Sequence, residues 1–195
     1  MTKIIAFSGR KQSGKSSAGD FLAETLNRDY PDISYKIYSF ADPLKTDICM
    51  NILGLTHNQC YGSDEDKNTM TDLLWENNQL TARQAMEIIG TDIFRKLKTS
   101  VWVDATINKI LKEQYDIAII VDCRFPNESN AILQHQGHVI RLTLNPFDSP
   151  SLSESALDPN NYDWTKFSNI IDNQHMSIDE KNQAIISFIR NTKLI

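Results

Sequence analysis

The chain has 195 residues, of which 41% are hydrophobic and 23% charged, ordinary proportions for one globular domain large enough to bury a core. Its formal net charge of −5 opposes an extended nucleic-acid surface but leaves room for a small cationic pocket. No apolar run reaches the ~20 residues of a membrane span, the start is unlike a secretory leader, and three cysteines without Cys-x-x-Cys spacing argue against a disulfide or zinc framework; a cytoplasmic protein is expected, with no membrane or nucleic-acid partner.

In chain order, Lys3–Ser8 is a short apolar run ending at glycine and reads as a buried strand. Ala18, Phe21, Leu22, Thr25 and Leu26 recur at helical spacing, and Tyr35–Phe40 reads as a second strand. Asp42-Pro43 has the form of a helix start, with Asp as N-cap and Pro in the first turn. Residues 56–80 are polar and weakly periodic; they read as a mobile excursion with a short helix around Met70–Trp75. Helices are expected from Thr81 and over Val101–Leu111.

Asp116–Val121 is the clearest buried parallel strand. A helix over Asn127–Gln136, a strand over His138–Leu144, a Pro-, Ser- and Asp-rich lid-like segment over 145–165, a strand at Asn169–Ile171 and a helix over Ile178–Arg190 complete the pattern. Strands alternating with helices imply an α/β fold, a central parallel sheet flanked by helices in three layers. One domain over 1–195 is expected, with 56–80 as an insertion on the acceptor side.

Gly9-Arg10-Lys11-Gln12-Ser13-Gly14-Lys15-Ser16 matches G-x-x-x-x-G-K-[ST] and lies between a strand and a helix. The glycines let several backbone N–H groups converge, and the helix N-terminus adds partial positive charge. Lys15 is expected on the β- and γ-phosphates of a nucleoside triphosphate, and Ser16 on magnesium. Asp122, at the end of the 116–121 strand, stands where such enzymes hold that ion, although a turn or N-cap aspartate reads similarly. Arg124 can lie over the same phosphates, or form a surface ion pair with Glu128.

With Phe40-Ala41-Asp42-Pro43-Leu44-Lys45, Thr81-Ala82-Arg83, Ile89-Gly90-Thr91-Asp92, Trp102, Asp122-Cys123-Arg124-Phe125-Pro126-Asn127-Glu128 and Ile170-Ile171-Asp172-Asn173, the phosphate loop makes an ordered set spanning nearly the whole chain. This set resembles the bacteriophage deoxynucleoside monophosphate kinases and, more distantly, the phosphomevalonate kinases of the same P-loop group. The resemblance implies a P-loop kinase fold, ATP and Mg2+ as cofactors, and a deoxynucleoside monophosphate as acceptor. It implies Gly9, Ser13, Gly14, Lys15, Ser16 and Ser17 for the donor phosphates and Asn173 for the adenine, where a turn asparagine is the competing reading. Lys11, Lys15 and Arg124 would be catalytic, Lys11 bridging donor and acceptor phosphates unless it is an ordinary loop lysine. Leu44, Lys45, Arg83, Gly90, Thr91, Asp92, Trp102, Arg124 and Glu128, together with Lys11, would form the acceptor site; Gly90–Asp92 also reads as a helix junction and Trp102 as core.

The sequence departs from the group in having no arginine between Leu142 and Phe167, and in Ser151-Leu152-Ser153-Glu154, where a histidine often precedes the Ser-Glu pair. Two rivals stand beside this reading: a phosphomevalonate-type kinase, and a regulatory P-loop NTPase, which would be expected to carry an Asn-Lys-x-Asp motif that this chain lacks. A homodimer is compatible with the sequence, and the host cytoplasm is the expected location if a phage encodes the protein.

Overall fold

The computed structural model describes residues 2–146 and 152–195, with the side chains of 152 and 153 excepted. Its α-helices and strands in order are β1 (Lys3–Ser8), α1 (Lys15–Asp29), β2 (Tyr35–Tyr38), α2 (His57–Tyr61), α3 (Asp64–Lys67), β3 (Met70–Trp75), β4 (Asn78–Thr81), α4 (Ala82–Glu87), α5 (Val101–Glu113), β5 (Ile117–Cys123), α6 (Pro126–Gln134), β6 (His138–Leu142), α7 (Leu152–Ser155), β7 (Asn169–Ile171) and α8 (Ile178–Asn191). The chain divides into two compact units, 1–40 with 107–195, and 41–106. Part of the expected lid-like segment, residues 147–151, lies outside the described residues.

In the first unit five strands form one sheet in the order β2-β5-β1-β6-β7, every neighbouring pair parallel. Alternation along the strands explains its layers. Ile5 and Phe7 of β1, Ile117 and Ile119 of β5 and Ile140 and Leu142 of β6 share one buried cluster with Leu22 and Leu26 of α1 and Ile185 and Ile189 of α8. The alternate residues Ile4, Ala6, Ala118, Ile120 and Val139 are just as buried, and Ile4 approaches Ile132 of α6 beneath Gly137. Both faces are apolar because helices cover both, as a parallel sheet requires. Pairing of β1 with β5 is irregular between Ala6 and Ser8, immediately before the glycine-rich loop.

The second unit has its own core of Cys49, Leu55, Cys60 and Ala82, with Leu44, Met50, Tyr61, Met86 and Ile89 against it. Asp42 stands at the N-cap position with Pro43 in the first turn, as expected, but its own backbone is helical (φ −62°, ψ −43°) and its side chain makes no capping bond; its carboxylate accepts instead from the Tyr61 hydroxyl at 2.8 Å. The helix after it, Pro43–Met50, is widened to π geometry, with bonds such as Asn51 N–H to Thr46 C=O at 3.0 Å. Residues 56–80 fold as two capped helical turns and a hairpin rather than a bare excursion. Met70–Trp75 is β3, not a helix, because Glu76 and Asn77 (φ 50° and 64°) turn the chain back onto β4 in the left-handed conformation that favours hairpins. Replacing Glu76 by glycine is expected to remove about 1 kcal/mol of backbone strain. Calorimetry should show a rise of about 2–4 °C in melting temperature.

Candidate active site

The phosphate loop leaves β1 and enters α1 at Gly14, whose φ of 95° lies in the region that disfavours a side chain. Lys15 is 6% exposed, and its Nζ donates to the carbonyls of Gly9 at 2.8 Å and Arg10 at 2.6 Å. Burial, with the Arg124 charge second, pushes its pKa down to about 8, against the opposing pull of Glu154 and Asp122. Ser16 and Ser17 are exposed at the start of α1. The Ser13 hydroxyl is buried inside the loop with no hydrogen-bond partner among the described residues, a polar atom that a phosphate oxygen would satisfy.

The strand-end residues gather around this lysine. Asp122 accepts from Ser39 Oγ and, at 2.8 Å, from the Phe40 N–H, tying the end of β5 to the end of β2. Glu128, only 2% exposed, accepts from the Arg124 N–H at 2.8 Å and the Phe125 N–H at 3.1 Å, so it braces the turn that carries Arg124. That is a supporting task, in place of the acceptor contact implied for it. The Arg124 guanidinium pairs with Glu154 of α7, and the same carboxylate accepts from the Lys11 N–H of the loop. Lys11 itself is exposed.

Beside the loop lies a cavity of about 650 Å³ lined by Arg10, Arg141, Asn145, Asp158, Trp164 and Gln174, among others, within the size range of small-ligand sites. Asp158 accepts from both Arg10 and Arg141. Arg141 is 4% exposed, donates to Ser8 Oγ at 3.1 Å and lies 5.4 Å from the Trp164 ring centroid. The Asn173 amide, expected at a purine edge, has backbone partners instead. It donates to Ser13 C=O at 3.0 Å and accepts from Leu144 N–H at 2.9 Å, which anchors the phosphate loop to the chain after β6.

The remaining implied residues lie in the second unit. Leu44 and Lys45 sit in the π-helical Pro43–Met50, and Gly90, Thr91 and Asp92 in a second π-helical stretch, Ile88–Arg95. Such widened turns recur at functional sites. Lys45 Nζ lies 4.5 Å from the Tyr61 ring centroid. Arg83 pairs with Asp64 at 2.7 Å and donates to Asn68 at 3.0 Å. Thr91 and Asp92 are exposed, with Asp92 paired to Lys96 at 3.1 Å. Gly90 packs on Leu44, whose Cδ2 would stand 2.7 Å from an added Cβ. Trp102 is core at 6% exposure, donating to Gly90 C=O at 3.0 Å and stacking obliquely on Phe94; a base-stacking role does not fit its burial.

A family model described as deoxynucleotide monophosphate kinase matches residues 52–149, half of the chain. The chain belongs to the deoxynucleotide monophosphate kinase family. A protein of Acanthamoeba polyphaga mimivirus bearing the provisional name deoxynucleotide monophosphate kinase is 27% identical to this family member over 202 aligned residues, 96% of each chain. The deoxynucleoside-5′-monophosphate kinase of Escherichia phage T5 is 23% identical over 188 residues, 71% of this kinase and 74% of the phage enzyme. The shikimate kinase of Acinetobacter baumannii, solved in complex with shikimate, matches with a TM-score of 0.52 at 14% identity over 100% of this kinase and 97% of that chain. That likeness shows a shared P-loop kinase fold. The molecule is a phosphotransferase, and no helix among its described residues is long and apolar enough to cross a membrane.

The kinase brings to this region several residues that no motif marks. Arg141 had a signal, a lone charge within the apolar strand His-Val-Ile-Arg-Leu. Glu154 was visible only as half of a Ser-Glu pair. Arg10 shows only as a variable position of the phosphate loop, and Asp158 and Trp164 have no signal, because the three meet only through the fold.

The lowered Lys15 pKa carries a sign that can be tested. Between about pH 8 and the ordinary lysine value of 10.5 the unfolded chain holds more protons at this residue, so stability of the free kinase rises with pH across that window. A bound polyphosphate favours the charged amine, so nucleotide affinity should run the other way. Titration calorimetry is expected to show affinity constant below pH 8 and falling above it, with proton uptake on binding near pH 8 to 9; pH-independent affinity would contradict the assignment of Lys15.

Proposed function

We propose that this nucleotide kinase transfers the γ-phosphoryl group of Mg·ATP to the 5′-phosphate of a deoxynucleoside monophosphate, yielding the diphosphate and ADP. The observation that carries the donor half is the phosphate loop, with buried Lys15 under the electrostatic reach of Asp122, Arg124 and Glu154. Family membership and the two named relatives support the acceptor.

An acceptor phosphate oxygen attacks the γ-phosphorus as its bond to the β–γ bridging oxygen breaks, and the electrons leave with ADP. No catalytic base is required, so positioning and charge neutralisation do the work. Lys15 holds the β- and γ-phosphates and Arg124 lies against the transferring group, while Lys11, exposed on the loop, bridges towards the acceptor phosphate. The donor base enters the cavity beside Trp164, Asn145 and Gln174, with Asn173 holding the loop in shape. Lys45 and Arg83 are the residues of the second unit implied for the acceptor phosphate, and there they contact the Tyr61 ring and Asp64.

Ser16 and Asp122 would hold the magnesium ion. A hydroxyl and a carboxylate are hard oxygen donors, and magnesium at such sites takes one or two protein ligands, leaving the rest to phosphates and water. This suits a chain with no cluster of three metal-ligating side chains among its described residues. When bound, magnesium neutralises charge on the phosphate oxygens.

The deciding experiment is ADP release by the purified chain with Mg·ATP and, in turn, dGMP, dTMP, dCMP, dAMP and phosphomevalonate. Turnover with one or more nucleotides and none with phosphomevalonate is expected. ADP release at the same rate without any acceptor would instead identify a hydrolase.

A further inference from the structure

Lys181, on α8, lies outside every motif that the sequence offers, yet it reaches the phosphate loop. Its Nζ donates to Ser17 Oγ at 2.8 Å and stands 3.4 Å from where a Cβ on Gly14 would be. Ser17 Oγ in turn donates to the Gly14 carbonyl at 3.0 Å, so the amine is fixed against the first turn of α1. The residue is 4% exposed, and among the described residues no carboxylate forms an ion pair with it.

That position is costly for a cation. Burial holds its pKa below the usual lysine value. The N-terminus of the 15-residue α1 adds partial positive charge at the same place. An ammonium desolvated beside a positive helix end is unfavourable unless an anion compensates it, and a polyphosphate is the anion this loop is shaped for. Loop amides of this motif cradle the α- and β-phosphates, whereas the motif lysine reaches the β- and γ-phosphates. Ser17 and Gly14 belong to the amide-lined part.

We propose that Lys181 is a second phosphate-binding cation of this site, neutralising the α- and β-phosphates of the donor nucleotide from α8. The inference rests on the reading of ATP as donor. It divides the labour between two lysines: Lys15 follows the group being transferred, and Lys181 holds the part that stays behind as ADP. Affinity for substrate and product nucleotide should then depend on it equally.

The test is calorimetric binding of Mg·ATP and Mg·ADP to the full chain and to Lys181→Gln, Lys181→Met and Lys181→Arg, with melting temperatures recorded. Glutamine keeps a donor for Ser17 Oγ but loses the charge, so a merely bracing lysine predicts wild-type affinity in that variant. The expected result is weaker binding of both nucleotides to the Gln and Met variants, by the same factor of about 10 to 100. The dNMP KM should not change, and arginine should recover most of the affinity. Wild-type affinity in Lys181→Gln, or a loss confined to ATP that spares ADP, would overturn the proposal. If the Met variant fails to fold, the Gln and Arg pair decides it. Failure of the wild-type chain to bind either nucleotide would sink the donor reading itself, a different outcome from a silent Lys181.

Discussion

Lys15→Ala is expected to lower kcat/KM with Mg·ATP by about 1,000-fold or more, since one preorganised charge aimed at the transition state is worth about 3–4 kcal/mol. The effect should fall mainly on kcat. In the free protein the amine rests on the Gly9 and Arg10 carbonyls, two hydrogen bonds that the alanine variant gives up. A melting temperature near the wild-type value should accompany the loss, because relief of a buried amine with a lowered pKa offsets the two lost hydrogen bonds at neutral pH. Loss of activity together with loss of fold would mean that Lys15 serves the loop architecture first.

Arg124→Ala should cost about 100- to 1,000-fold in kcat, with a smaller change in the KM for ATP. A guanidinium over a transferring phosphoryl group stabilises charge that develops only in the transition state. A second readout separates this from simple misfolding. Arg124 is the largest electrostatic contributor to the low pKa of Lys15, so its removal should move the alkaline fall in nucleotide affinity to higher pH. Lysine at this position restores the charge but not the planar fork, and partial rescue is expected. Arg124 also pairs with Glu154, which is 8% exposed; stripping away its partner leaves a buried carboxylate, so Arg124→Ala paired with Glu154→Gln should recover stability without recovering kcat. An unshifted pH profile in Arg124→Ala would remove the arginine from the site.

How much of this was legible beforehand differs between the two units. In the first, β1, α1, β5 and β7 follow directly from local pattern. Buried parallel strands are short apolar runs, and the run Asn169–Ile171 coincides with β7. In the second, Met70–Trp75 alternates too weakly to declare itself: Thr71 is buried while Met70, Asp72 and Trp75 are exposed. Its hairpin turn uses Glu76 and Asn77 rather than the usual Asn-Gly, so nothing local distinguishes the strand from a short helix. The widened helices at Pro43–Met50 and Ile88–Arg95 were equally hidden, since the i→i+5 pattern is a consequence of packing and has no composition of its own.

The amino-acid order alone determined the phosphate loop, its strand-to-helix setting, the aspartate and arginine at the end of β5 and the alternating architecture. Each of these depends on residues close together in the chain, where spacing and stereochemistry act without help from the fold. Only the tertiary structure decided that Glu154 bridges Lys11 and Arg124, that Asn173 anchors the loop, that Trp102 is core, and that Lys181 comes to lie against Gly14. These pairings join positions from 12 to more than 160 residues apart, and a charge's work is set by what surrounds it in space. Burial and partner together turn an ordinary helix lysine into a cation in need of an anion.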